Sequence, residues 1–165
     1  MPAFFHRLLH PALTLTVLLA AATCAVSAQP GAPDPRGSWL TASGNFEVEV
    51  APCGAALCGT VVKVIANHSM SRPGEDMKPA DPRPALGMRL LTGFEPTETA
   101  VVQDGGPPVP VEWRGEIYNR ENGKTYRCLM SLGTSGHLVL RGYVGLPLFG
   151  RTQLWQRVAP PPAAQ

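Results

Sequence analysis

The stretch from Trp113 to Leu132 reads WRGEIYNRENGKTYRCLMSL, and its period decides the fold class. Trp113, Gly115 and Ile117 alternate with Arg114, Glu116 and Tyr118. After a polar break, Tyr126, Cys128, Met130 and Leu132 alternate with Arg127 and Ser131. Successive side chains of a strand point to opposite faces of the sheet, so a period of two predicts two half-buried strands. Between them, Arg120-Glu121-Asn122-Gly123 carries Asn-Gly, a pair that tolerates positive φ and suits a tight turn. The stretch is a β-hairpin.

The same period extends in both directions. Phe46, Val48 and Val50 alternate with Glu47 and Glu49, and Leu57 to Ile65 is a β-branched run. Leu138 to Val144 and Arg151 to Val158 follow the hairpin, and Gly37 to Ala42 and Gly87 to Phe94 complete about eight strands. No stretch carries an apolar stripe of helical period. Short connections fall at Ser43-Gly44-Asn45, Gly133 to Gly136 and Gly145 to Gly150. Sequential antiparallel strands over residues 36–158 predict an all-β fold, a small closed up-and-down barrel, because closure removes exposed sheet edges. A two-sheet sandwich is the alternative. An eight-stranded barrel holds packed side chains or one small ligand. Two longer connections, Ala66 to Leu86 and Glu95 to Pro110, are rich in proline and either carry function or cover a barrel end.

The N-terminus predicts the compartment. Met1 to Pro11 carries Arg7, Ala12 to Ala22 is apolar and uncharged, and Val26-Ser27-Ala28 supplies small residues for a cleavage site. Residues 1–28 therefore read as a signal peptide, since the apolar run is about half of the ~20 residues a spanning helix needs. Ala21-Ala22-Thr23 before Cys24 lacks the large aliphatic residue of a lipid-attachment site. Cleavage leaves a flexible segment 29–35, the domain 36–158 and a Pro/Ala-rich tail 159–165, in the periplasm or outside the cell. The net charge of +2 falls to +1 once Arg7 is removed. Both signs are interspersed, which argues against nucleic acid or an anionic membrane as partner. No further apolar stretch is long enough to form a transmembrane segment.

Export permits disulfides. Cys53 and Cys58 flank four residues between two β-like runs, where a hairpin brings its strands together. Closing so short a loop contributes ~2 kcal/mol in the chain-entropy description. The spacing differs from the C-x-x-C of redox centres, so a structural staple is expected. Cys128 reads as a buried, inward-facing thiol.

Gly37-Ser38-Trp39 opens the first strand and Trp155-Gln156-Arg157 closes the last. This resembles lipocalin-like barrels, in which a Gly-x-Trp on the first strand stacks against an arginine from the final strand and plugs one end. The resemblance implies a barrel-closing pair of Trp39 with Arg157 (or Arg151). A wider set of motifs occurs in order: Gly37-Ser38-Trp39, Cys53 to Gly59, Trp113 to Tyr118, Asn122 to Tyr126, Arg141-Gly-Tyr143 and Phe149 to Arg157. Together they resemble the exported bacterial family catalogued as domain of unknown function 2147. That resemblance implies a secreted or periplasmic lipocalin-like barrel and carries over no catalytic residues. Where the family tends to have Asn-Pro-Asp in the long loop, this chain reads Met77-Lys-Pro-Ala-Asp-Pro-Arg83.

Candidate chemistry is sparse. His68 and His137 are far apart and lack metal-ligand spacing, and Glu75, Asp76 and Asp81 read as solvated loop acids, so neither a metal nor a cofactor is expected. No serine sits in Gly-x-Ser-x-Gly, and Gly123-Lys124-Thr125 closes a hairpin rather than opening a phosphate-binding helix. Glu112 and Glu116 share a strand face with Arg114 between them, a surface charge row. Arg141 shares a face with Val139 and Tyr143, opposite Leu138 and Leu140, and the period alone leaves open which face is interior. An inward arginine needs a partner such as Glu116, Tyr118 or a ligand carboxylate. The interior candidates are Phe46, Val48, Trp113, Ile117, Tyr126, Met130, Leu138 and Leu140. Candidate ligand-lining residues are Trp113, Tyr118, Tyr126, Arg141 and Tyr143. Leu146, Leu148 and Phe149 form a candidate partner-docking loop. The leading expectation is a non-enzymatic envelope barrel that binds a small apolar or amphipathic molecule. The second is an interaction or scaffold module for another envelope protein, and the third an enzyme with an unrecognised site.

Overall fold

The structure, a computed structural model, describes residues 34–101 and 106–159. The expected signal peptide and cleavage site, most of segment 29–35 and nearly all of the C-terminal tail lie outside the described residues. Strands β1 (Gly37–Leu40), β2 (Phe46–Cys53), β3 (Ala56–Val64), β4 (Arg89–Ala100), β5 (Val109–Asn119), β6 (Lys124–Leu132), β7 (Leu138–Tyr143) and β8 (Arg151–Arg157) follow one another around a ring. Each pairs antiparallel with its sequence neighbours, and β8 returns to β1 through Trp39↔Arg157 and Leu40↔Gln156. The ring is a closed up-and-down barrel, not a sandwich. A single-turn 3-10 helix at Pro147–Phe149 interrupts the last connection.

Register carries the alternation around the wall. Val48 pairs with Trp39 and Val61, Ile117 with Leu91 and Tyr126, Met130 with Trp113 and Leu140, and Leu138 with Trp155. Partners in register share a face, so one period-two stripe per strand fills the interior. Trp39, Val48, Met130, Leu138 and Leu140 are fully buried, and Phe46 and Trp113 nearly so. Each such aliphatic side chain contributes ~1.5–3 kcal/mol on burial.

A bulge in β4 shapes the core. The register shifts between Thr92 and Glu95, and Gly93 adopts a φ of 65° there. The kink turns the Phe94 ring inward over Gly115, where an added Cβ would lie 2.7 Å from the ring and 2.6 Å from the Thr92 carbonyl oxygen. Only glycine leaves that space.

Two expectations change and one open question is answered. Half of the connection expected at Glu95 to Pro110 is strand: β4 runs on to Ala100 and β5 begins at Val109. Pro96 pairs with Trp113 and Pro110 with Thr99, beyond the reach of β3 pairing on one side and β6 pairing on the other. Proline is tolerated on such a free edge because no ladder bond is lost. Second, the first strand stops at Leu40 rather than Ala42, because Thr41 turns to accept a bond from the Gly44 N–H. Third, the interior face of β7 belongs to Leu138 and Leu140, which settles the question left open at Arg141 and places it outside.

Topology separates the two ends. The chain enters and leaves at the end that holds the β2–β3, β4–β5 and β6–β7 turns. There the Arg157 guanidinium lies 4.1 Å from the Trp39 ring centroid, and it donates to the carbonyls of Arg36 and Asp34. The Trp39 Nε1–H donates to the Pro35 carbonyl at 2.8 Å. Cys53 and Cys58 are joined in a disulfide across the β2–β3 hairpin, with Cα atoms 5.8 Å apart. This end is shut.

Candidate functional site

The opposite end is open. A cavity of about 590 Å³ enters between the β1–β2, β5–β6 and β7–β8 turns. Phe46, Ile117, Leu140 and Trp155, on the inward stripes of their strands, supply its apolar wall together with Leu90, which sits where the β3–β4 register shifts beside the inward Leu91. The volume falls in the range of ~300–1,000 Å³ typical of small-molecule sites. Polar groups gather toward the mouth: Tyr126, Arg151 and Gln153 on strands, then Asn45, Ser71, Arg120 and Glu121 on the connections. The Trp155 Nε1–H donates to Gln153 Oε1 at 3.2 Å, so its polar edge is satisfied within the wall.

The long β3–β4 connection builds part of the rim. Asn45 is buried and grips it through both ends of its amide: Nδ2 donates to the His68 carbonyl and Oδ1 accepts from the His68 N–H. Glu121 holds it from the other side, accepting from Ser69 Oγ at 2.5 Å, Ser71 Oγ at 2.6 Å and the Met70 N–H at 3.1 Å. These donors hold the Glu121 carboxyl below the usual carboxylate range, the Ser69 hydroxyl most of all. Met70 and Ser71 are thereby fixed on the cavity lip. Further along, Asp81 is held by Arg83 and accepts from the Tyr118 hydroxyl at 3.1 Å. The hydrogen bonds from Arg83 keep Asp81 far below its ordinary value, whereas burial raises the Tyr118 phenol.

The five ligand-lining candidates separate by place. Tyr118, Tyr126 and Tyr143 border the cavity, and Asn122 Nδ2 donates to the Tyr126 hydroxyl at 2.8 Å. Trp113 points inward but packs in the core on the shut side and does not border the cavity. Arg141 lies on the outer face. Its guanidinium donates to the carbonyls of Pro147 and Leu148 and to Thr152 Oγ1, which pins the 3-10 turn against β7 and β8. Leu146, Leu148 and Phe149 in that turn are 62%, 77% and 78% exposed, and Phe149 reaches the cavity lip. The Cys128 thiol is free, buried beneath Gly115 and Gly142 in register, and burial pushes it up to about 12.

Four residues of this end escape a sequence reading. Asn45 looks like a turn residue, yet it is a buried clamp. Arg120 and Glu121 look like hairpin polarity, and Arg151, the alternative partner for Trp39, lies instead at the open end, while Arg157 alone stacks on Trp39. The one legible signal was register: Arg151 is two residues from Gln153 and four from Trp155, so it shares their inward face.

A second depression, of about 540 Å³, lies outside the wall between Arg83, Arg89, Glu116 and Thr125. It is more open than the barrel cavity and lacks its continuous apolar wall. The barrel cavity is the candidate site. Its described lining offers aromatic rings, amides, hydroxyls, two guanidiniums and one carboxylate, groups suited to enclosing a small molecule and fixing its polar end. No group of three or more metal-ligating side chains occurs among the described residues.

Comparison with known proteins agrees with this architecture. The structure is similar to that of "Protein HP1028 from the human pathogen Helicobacter pylori", described as belonging to the lipocalin family. The TM-score is 0.50 at 18% identity, over 77% of this chain and 84% of the other, a likeness of fold. No curated protein matches the sequence. The match to a family model is extensive: over residues 37–157, from the Gly-x-Trp of β1 to the arginine that closes β8, the chain belongs to DUF2147, a family described as an uncharacterized protein conserved in bacteria.

Proposed function

We propose that the barrel is a non-enzymatic binding protein of the cell envelope that takes up a small apolar or amphipathic molecule. The observation that carries this reading is the cavity of about 590 Å³, apolar within and polar at its mouth. A barrel whose only task was to be a rigid wall would gain stability by filling that space, since unfilled volume forfeits packing contacts. The lipocalin-like neighbour and the family membership agree with a binding barrel. The N-terminal sequence and the Cys53–Cys58 bond support an exported location.

Native mass spectrometry of protein purified gently from an exported preparation tests this reading. The expected result is a reproducible extra mass that leaves on denaturation. A bare polypeptide mass, together with failure to bind any apolar probe, overturns it.

A second reading, docking on another envelope protein, is favoured by Leu146, Leu148 and Phe149. Large apolar side chains held outward on a pinned turn suit a partner surface. Phe149→Ser should then abolish capture of that partner while leaving the fold intact; unchanged capture removes this support.

A further inference from the structure

We propose that the cavity selects amphipathic anions, with the ligand's acidic head at Arg151 and Arg120 and its apolar tail against Trp155 and Leu140. The inference rests on the cavity being a ligand site and names the class of ligand.

Arg151 supplies the first argument. It pairs with Gly142 across β7 and β8, and a Cβ at Gly142 would meet Ile117 at 3.5 Å and Tyr126 at 4.0 Å. That face is therefore the interior one, and register directs Arg151 to it. Glycine opposite leaves the space beside the guanidinium open. The Arg151 side chain is exposed at the cavity mouth and has no hydrogen-bond or ion-pair partner among the described residues. A cation there gains little by itself and gains more from an anionic head whose apolar tail displaces water from the cavity beside it.

Arg120 supplies the second. Its Nη2 donates to the Arg83 carbonyl at 2.9 Å, which fixes the side chain at the lip. Its Nε is buried and lacks any partner among the described residues. A buried donor left unpaired is costly, and Nη1 of the same guanidinium also makes no hydrogen bond among the described residues, which leaves it for a ligand oxygen. Glu121 is the one carboxylate on the described lining, and its oxygens are already taken by Ser69, Met70 and Ser71. The unspent charge at the mouth is positive.

The head chemistry is an oxyanion, which a fatty carboxylate and an alkyl phosphate both present. The test uses decanoate, decyl phosphate and 1-decanol, three probes with one tail, titrated by calorimetry into the wild-type chain, Arg151→Gln and Arg120→Gln. The expected result is that an anionic probe binds at least tenfold tighter than 1-decanol. Arg151→Gln, and to a lesser degree Arg120→Gln, should cut that preference to under threefold with 1-decanol binding unchanged. The unchanged 1-decanol arm also reports that each variant is folded. Whichever of decanoate and decyl phosphate binds more tightly identifies the head as carboxylate or phosphate. Equal binding of 1-decanol and the anions overturns the head-group assignment and leaves the cavity reading standing, as does a preference that survives both substitutions. If none of the three probes binds, the cavity reading falls and this inference with it.

Discussion

Asn45 holds the backbone of His68 at both polar atoms, accepting from its N–H at 2.7 Å and donating to its carbonyl at 2.8 Å. Twenty-three residues separate the two, so one amide ties the β1–β2 turn to the long loop at the cavity mouth. Asn45→Ala removes both bonds and leaves the His68 groups to water. We expect a loss of about 1–3 kcal/mol, from two hydrogen bonds worth about 0.5–1.5 kcal/mol each. Urea denaturation measures it, and limited proteolysis should show new cleavage between residues 65 and 88.

Arg157 stacks on Trp39 and ties down the two carbonyls that precede β1. Replacing it with Ala should cost about 1–2 kcal/mol from the lost cation–π contact and hydrogen bonds. Arg157→Lys keeps the charge but not the planar fork, so it should recover less than half of that loss. Thermal melts of the three proteins decide this, and a lysine variant as stable as wild type would show that charge alone suffices.

Gly115 lies under the Phe94 ring with no room for a methyl group. Gly115→Ala should destabilise by about 1–3 kcal/mol through overpacking. The double variant with Phe94→Leu should recover part of this relative to Phe94→Leu alone, because part of the clash is with the ring and the rest is with the Thr92 carbonyl. Additive losses in a double-mutant cycle would contradict that.

Glu121 has its carboxyl lowered by the hydroxyls of Ser69 and Ser71 and by the Met70 N–H. A carboxyl lowered in the folded state contributes stability above its unfolded value and loses it as pH falls through the lowered value. The lip at Met70 should therefore stay fixed at neutral pH and loosen only below the ordinary glutamate range. An NMR titration of the Met70 amide should show that inflection, and Glu121→Gln should remove it.

Cys128 is pushed up to about 12 by burial, and the thiolate is the reactive form. It should resist alkylation at pH 8 in the folded protein and react promptly in denaturant. Mass mapping of iodoacetamide adducts with and without urea measures the difference. Rapid labelling of the native state would mean that the β6–β7 wall opens often.

Much of the barrel is legible because its physics is local. Phe46-Glu-Val-Glu-Val50 and Tyr126 to Leu132 announce their faces by alternation, and Asn122-Gly123 announces its turn. The extension of β4 and β5 is hidden because Pro96 and Pro110 read as breakers, and only a free sheet edge makes them acceptable. The face of Arg141 is hidden for another reason. The decision rests on Pro147, Leu148 and Thr152, whose carbonyls and hydroxyl become neighbours only once β7 and β8 pair. Arg120 and Asn45 are harder still. Their roles depend on a loop that crosses from β3 to β4 and meets them at one end of the ring. Local pattern reaches strands and turns, whereas a cavity mouth is assembled from four separate connections.

The ring closes through a short seam, with Arg157 opposite Trp39 and the Val158 N–H donating to the Ser38 carbonyl. A chain that emerges from a ribosome or a pore presents β1 first and β8 last. Until residue 157 is free, β1 has only β2 beside it and the cavity has no complete wall. Contacts between such distant residues are slow to form. The closed cavity is therefore the last thing this chain makes, and loss of even the final strand by early termination leaves it without a complete wall rather than trimming it.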